Sequence, residues 1–250
     1  MVFWLLVAWV GVAQAQPLTV STAASLRDTF REIARAFEAA HPGVRVRLNL
    51  GASGTLQQQI EQGAPVDVFA SAALPQMDAL ERQGLLVPES RRSFATNRLA
   101  LVVPNSASPE LGSFAALTSR SVARIAMGDP RSVPAGGYAK EVFEHLGLWE
   151  ELRPKLIFSS HVRQALDYVT RREVDAAVVY LTDAQLQRHD VRLAALADAA
   201  WHRPIRYPVA VLRDAPQRKL AAVFVEFVTG PRGRDLLQRF GFGLPEAAAK

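Results

Sequence analysis

Apolar positions along this chain fall into two rhythms, one of period two and one of helical period. Leu18-Thr-Val-Ser-Thr22 alternates as a short strand, and Leu26, Phe30, Ile33, Ala34 and Phe37 then recur at helical spacing. His41-Pro42-Gly43 breaks that helix. Val44, Val46, Leu48 and Leu50 alternate with Arg45, Arg47 and Asn49, predicting a strand with one buried face. It empties into Gly51-Ala-Ser-Gly-Thr55, after which Leu56 and Ile60 open a second helix ending at Gly63. Val66-Asp-Val-Phe-Ala-Ser71 predicts a third strand, followed by a helix from Leu74 to Gln83 with Gly84 as its cap.

Beyond Phe94 the same rhythms return. Arg98-Leu-Ala-Leu-Val-Val103 is a nearly continuous apolar strand closed by Pro104, and Ser113 to Leu117 reads as a short helix. Val122-Ala-Arg-Ile-Ala-Met127 predicts a strand that runs into Gly128-Asp129-Pro130. The Val133-Pro134-Ala135-Gly136-Gly137-Tyr138 run then leads into a helix with Ala139, Val142, Phe143 and Leu146 inward. Lys155 to Phe158 and Val174 to Tyr180 are further strands. Between them Ser159-Ser160-His161 opens a helix whose inner face is Val162, Ala165, Leu166 and Val169. Val191 to Leu193 and Tyr207 to Leu212 complete the strands, and helices over Pro216 to Thr229 and Pro231 to Arg239 follow. Strands alternating with helices in this way predict an α/β fold with mostly parallel sheets. The chain is expected to cross into a second domain near residues 94–98 and to return over 207–211, giving a discontinuous lobe of residues 16–96 plus 209–250 and a second lobe of residues 97–208.

Composition narrows the class. The chain has 250 residues, 49% hydrophobic and 21% charged, which is ordinary for a folded protein with a substantial core. Its formal net charge of +5 rests on scattered arginines, a balance that favours anionic partners through the long-range field. No basic stripe is interleaved with aromatics, so nucleic acid is not expected as a partner. Met1 to Ala15 is apolar and ends in Ala13-Gln14-Ala15, an A-x-A cleavage site, so residues 1–15 read as a signal peptide, though the n-region carries no Lys or Arg. That run is shorter than the roughly 20 residues a spanning helix needs. There is no cysteine, which excludes disulfides, thiolate metal sites and a lipid-anchoring cysteine at the cleavage point; a soluble exported protein is expected. His41, His145, His161, His189 and His202 are too far apart for metal-ligand spacing; His161, beside Val162, could tune a cleft but reads first as a surface residue.

The candidate chemistry lies at the strand-to-helix junctions. Ser25 stands where an N-cap belongs, with Asp28 three residues later as in a capping box. Ser53 sits in a second small-residue turn, Pro134-Ala135-Gly136 in a third and Ser159-Ser160-His161 in a fourth. Such turns present free N–H groups and the positive end of a helix dipole. In open α/β sheets, ligands bind beyond the carboxyl ends of the strands, where these turns gather. The polar equipment there is donors alone, which suits an anion that accepts hydrogen bonds and has no proton to give. Each junction taken alone reads equally as a plain helix start, a turn serine or, for Tyr180, a core tyrosine with a wet hydroxyl. Recurrence is what argues for a shared ligand.

Several segments resemble the periplasmic molybdate-binding proteins of ABC transporters. They are Ala23-Ala24-Ser25-Leu26, Gly51-Ala-Ser-Gly-Thr-Leu56, Gly63-Ala-Pro-Val-Asp-Val-Phe-Ala-Ser-Ala72 and Gly128-Asp-Pro-Arg-Ser-Val-Pro-Ala-Gly136, with Tyr138-Ala-Lys-Glu141, Val162-Arg163 and Val179-Tyr180. The resemblance covers essentially the whole chain after residue 15. It implies a type II periplasmic-binding-protein fold, two α/β lobes with the ligand cleft between them. It implies that Ser25, Ser53 and Tyr180 contact molybdate through hydroxyls and Ala135 and Val162 through backbone N–H groups, with no direct metal ligand and no cofactor. The protein would then be a periplasmic monomer that hands molybdate or tungstate to an ABC transporter permease in the inner membrane. Gly54 departs from the pattern, because many relatives carry another serine there.

Three other readings remain at this stage. One is a binding protein for another tetrahedral oxyanion such as sulfate. Another is a secreted serine hydrolase using Ser53, but G-x-S-x-G needs glycine where Thr55 stands, and neither S-x-x-K nor a P-loop occurs, so an enzyme is not expected. The third is the effector-sensing lobe of a regulator, which an export signal in place of a DNA-binding segment argues against.

Overall fold

The computed structural model describes residues 16–107 and 111–246; the expected signal peptide lies outside them. Strand β1 (Leu18–Ala23) passes through a tight turn of 3-10 helix (Ala24–Leu26) into helix α1 (Arg27–Ala40). Then come β2 (Val46–Gly51), α2 (Ser53–Glu61), β3 (Val68–Ala70), α3 (Leu74–Arg82) and β4 (Arg92–Thr96). The middle of the chain forms β5 (Leu99–Pro104), β6 (Ile125–Gly128), α4 (Pro134–His145), α5 (Trp149–Leu152), β7 (Leu156–Ser159), α6 (Val162–Thr170), β8 (Ala176–Tyr180), α7 (Leu181–Leu186) and β9 (Val191–Leu196). It finishes with β10 (Arg206–Val211), α8 (Arg218–Thr229) and α9 (Pro231–Arg239).

These strands form two five-stranded sheets built on one plan, with orders β2-β1-β3-β10-β4 and β7-β6-β8-β5-β9. In the first, β2, β1 and β3 are parallel and β10 runs against both its neighbours. In the second, β7, β6 and β8 are parallel and β5 runs against both its neighbours. The chain leaves the first sheet after Thr96, enters the second at Leu99, and re-enters the first at Arg206, slightly ahead of the expected boundary at 209. Two α/β lobes result, as the alternation of strands and helices implies.

Each sheet is covered by its crossover helices. On α1, Phe30, Ile33 and Phe37 are fully buried, the stripe expected from their spacing, and each such burial contributes up to about 3 kcal/mol. The Phe37 ring meets Phe224 at 5.0 Å and 81°, which docks α8 against α1 in an edge-to-face contact. Buried Asp67 accepts hydrogen bonds from Thr19 N at 2.7 Å and Gln217 N at 2.6 Å, joining β1 to the segment that starts α8.

Several expectations need correction. Ser25 is not an N-cap: it lies inside the 3-10 turn, and neither that turn nor α1 has a side-chain cap. The strand expected from Val44 packs Val44, Val46 and Leu48 against the core with Arg45 and Arg47 exposed, but that face is only half-buried, because β2 is the edge of its sheet. Strand β4 and helices α5 and α7 emerge where no periodicity marked them, and the short helix near 113 is a 3-10 turn over Ala115–Thr118. Helix α8 begins at Arg218, not at Pro216.

Candidate functional site

The six parallel strands all end at one place. After β1 the chain brings Ala23, Ala24 and Ser25 there, after β2 Gly51, Ala52 and Ser53, and after β3 Ala72. From the other lobe, β6 leads to Val133, Pro134 and Ala135, β7 to His161 and Val162, and β8 ends in Tyr180. These residues line a single hollow of about 10 Å³, the room one water molecule needs and far below a pocket for an organic substrate. Ser25, Ser53, Ala135, Val162 and Tyr180, the residues singled out in the sequence, are therefore all brought together. A wider cleft of about 1100 Å³ lies among the segments that cross between the lobes, lined by Asn97, Arg98, His202 and Arg206, away from the strand ends.

Small residues make the convergence possible. A Cβ at Gly136 would lie 2.0 Å from the Gly128 carbonyl oxygen, so only glycine lets the first turn of α4 sit this close to the end of β6. Neither α2 nor α4 has a side-chain cap. The N–H groups of Ser53, Ala135 and Val162 fall in first helical turns, where no intrahelical acceptor exists.

The hydroxyls are held by defined partners. Ser53 Oγ accepts from Ala72 N at 3.0 Å, which leaves its own proton to donate. Asn97 Nδ2 donates to the Tyr207 hydroxyl at 3.1 Å and to Thr182 Oγ1 at 2.9 Å. The Tyr207 hydroxyl stands 3.4 Å from Ser25 Oγ. Tyr180 donates across the cleft to the Ala72 carbonyl at 3.3 Å. Burial holds both tyrosines far above their ordinary acidity range, so they remain protonated donors.

His161 is not the surface residue its sequence position suggests. It is half-buried, lines the hollow, and caps α6 by accepting at Nδ1 from Gln164 N at 3.1 Å. Burial lowers its pKa, with Arg27 and Arg163 adding to the shift, so the ring is neutral near pH 7 with its proton on Nε2.

No arginine or carboxylate lines the hollow, but a charged cluster lies directly behind it. Buried Arg163, the residue after Val162, places Nη2 2.9 Å from Asp28 Oδ2 and 3.5 Å from the Ser25 carbonyl. Its Nε lies 2.5 Å from Asp183 Oδ1, yet the N–H is not aligned as a hydrogen bond, so the contact is chiefly electrostatic. Burial pushes the Asp183 carboxyl up to about 6 against the opposing pull of Arg163. Asp28 thus pairs with Arg163 across the cleft instead of completing a capping box.

Sequence reasoning missed Ala72, His161, Tyr207 and the Arg163 cluster. Asn97 left a trace as a polar break between two apolar runs; Tyr207, placed inside a strand pattern, left none.

The model of the bacterial extracellular solute-binding protein family matches residues 18–243. The Bacillus subtilis protein YvgL, named as a candidate ABC transporter substrate-binding lipoprotein, is 37% identical over 90% of this chain and 85% of its own length. The molybdate-binding protein ModA of Escherichia coli is 34% identical over 94% of this chain and 92% of its own. The solved periplasmic molybdate-binding protein of Azotobacter vinelandii superposes with a TM-score of 0.81 at 26% identity, covering 92% of this chain and 100% of that one. The two-lobed periplasmic-binding fold is therefore shared.

Proposed function

The chain belongs to the bacterial extracellular solute-binding protein family, and from that premise we propose that it captures molybdate between its lobes for import by an ABC transporter. One observation carries the reading: six strand ends converge on a small hollow whose polar groups are hydroxyls, first-turn N–H groups and the neutral His161 ring, with no carboxylate. A carboxylate there would repel a dianion and suit a protonated ligand such as hydrogen phosphate. Donors alone suit a fully deprotonated oxyanion. Hydrogen bonds to a charged group contribute about 1.5–3 kcal/mol each, so several together offset a large cost of stripping the ion of water.

Ser25, Ser53 and Tyr180 would donate through hydroxyls and Ala135 and Val162 through backbone N–H groups. Tyr180 is committed to the Ala72 carbonyl by a long bond of 3.3 Å, which an anionic acceptor would take over. Fixed donors cannot follow a smaller tetrahedron inward, so molybdate and tungstate would be held alike and sulfate weakly. No cofactor is needed and no metal ligand is supplied, since the oxyanion is bound through its oxygens. The lobes, taken as residues 16–96 with 206–246 and residues 97–205, would close about the two crossings and present the closed form to an inner-membrane permease. Export through the segment at residues 1–15, a periplasmic location and a monomeric state complete the proposal.

Capture without chemistry is favoured over the hydrolase because the described partner of Ser53 Oγ is the Ala72 N–H, a donor, and not a general base. Calorimetric titration with molybdate, tungstate and sulfate tests the reading. Tight binding of the first two with weak sulfate binding is expected; sulfate binding as tightly as molybdate would overturn the size argument, and no binding of any would overturn the function.

A further inference from the structure

We propose that Arg163 and Asp28 form a latch that holds the lobes shut over the bound anion, which makes Arg163 a positioning residue of the site. The inference rests on the molybdate reading above. Arg163 belongs to α6 in the second lobe, and Asp28 to the first turn of α1 in the first. Nη2 reaches Asp28 Oδ2 at 2.9 Å and the Ser25 carbonyl at 3.5 Å, so one side chain grips the opposite lobe twice. The gripped segments are the ones that carry Ser25 and Val162, so a shift of the latch displaces donors on both sides of the hollow.

The third member explains why the latch can reopen. Stripping both partners from a buried guanidinium leaves an uncompensated charge at a cost of several kcal/mol, which would lock the lobes. Asp183 lies in the same lobe as Arg163, 2.5 Å from Nε, and stays beside it whether the cleft is open or shut. Opening exchanges only the Asp28 contact for water, and Asp28 is already one-third exposed, with its side chain at 32%. Among the described residues, the other hydrogen bonds between the lobes, Gly54 N to the Ser132 carbonyl at 2.9 Å, the Tyr180 hydroxyl to the Ala72 carbonyl and Asn97 Nδ2 to the Tyr207 hydroxyl, join neutral groups. The ionic contact is therefore the one suited to set how long the closed form lasts.

The test compares wild type with Asp28→Asn, Asp28→Ala and Asp28→Glu. Molybdate association and dissociation rates are measured, together with the radius of gyration by small-angle X-ray scattering with and without molybdate. The asparagine and alanine variants should release molybdate roughly 10-fold faster, the lower end of what a charge-assisted bond implies, with association changed by less than about threefold. Asp28→Glu should recover most of the slow release, which a general loss of folding would not allow. Dissociation rates within twofold of wild type in both charge-removing variants overturn the latch while leaving the molybdate reading intact. If wild type itself takes up no molybdate, that reading falls, and the scattering comparison alone decides the latch: wider Asp28→Ala molecules support it and equal dimensions overturn it.

Discussion

The Tyr207 hydroxyl lies 3.4 Å from Ser25 Oγ although the two residues are 182 positions apart in the chain. Tyr207 does not line the hollow; it stands behind Ser25, fully buried, and takes a hydrogen bond from Asn97 in the crossing segment. Either hydroxyl can donate in the Ser25–Tyr207 pair; with Asn97 already donating to Tyr207, the arrangement in which the tyrosine gives its proton to Ser25 would leave the serine proton for the hollow. A chain of donors oriented in this way strengthens its last member.

Removing the Tyr207 hydroxyl should therefore weaken molybdate binding from outside the hollow. Tyr207→Phe keeps the edge-on packing against Phe94 and Phe242 and should cost about 1 kcal/mol of affinity by calorimetry. Its effect should be largely absent in a Ser25→Ala background. Equal losses in the two backgrounds would break the relay.

Direct donors should cost more. Ser25→Ala, Ser53→Ala and Tyr180→Phe are each expected to weaken molybdate binding by about 1–3 kcal/mol in the same titration. Unchanged affinity in all three would place the anion elsewhere.

Gly54 should set how closely the lobes approach. A Cβ there would lie 2.7 Å from the Ser132 carbonyl oxygen, which belongs to the opposite lobe and already accepts the Gly54 N–H. Gly54→Ala should hold the cleft ajar and lower molybdate affinity by about tenfold or more, because a partly closed site loses at least one charge-assisted bond. The thermal midpoint measured without molybdate should hardly move. A variant that binds as wild type does would show that Ser132 yields easily.

Asp183 should leave a signature in stability against pH. Its carboxyl is raised from 3.8 to about 6, first by burial and against the pull of Arg163 from α6; Tyr207 from β10 and Asp28 from α1 also face the cluster. The folded state then holds a proton that the unfolded state releases between these values. The resulting stability is fully present below pH 3.8 and is lost as pH rises through about 6. Its size is about 3 kcal/mol at most, from a shift of about two pKa units. Denaturant unfolding between pH 4.5 and 7.5 should show this component of the slope disappear in Asp183→Asn. An unchanged slope would mean that Asp183 remains ionised throughout.

Much of this architecture was legible because each junction repeats one local grammar: an apolar run, small residues with a hydroxyl or proline, then helical spacing. Ser25, Ser53, Ala135 and Val162 obeyed it, Tyr180 stood at a strand end with no helical spacing marked after it, and the hollow collects all five. What stayed hidden was set by tertiary neighbours. Asp28 looked like a capping residue because Arg163 is far away in the chain, and the exposure of β2 follows from its place at a sheet edge, which alternation does not encode. His161 looked peripheral because its capping bond to Gln164 is invisible in spacing alone. The likeness of the two sheets was equally hidden, since the halves share a strand order without an internal sequence repeat.

The second sheet is spliced between β4 and β10, and those two strands lie side by side in the first. Outgoing and returning chain thus leave through one doorway, a paired strap of β4 and β10 that joins the halves. Motion of one half against the other would then pass through that strap. A pair of dyes, one on each half, would follow it as a single distance.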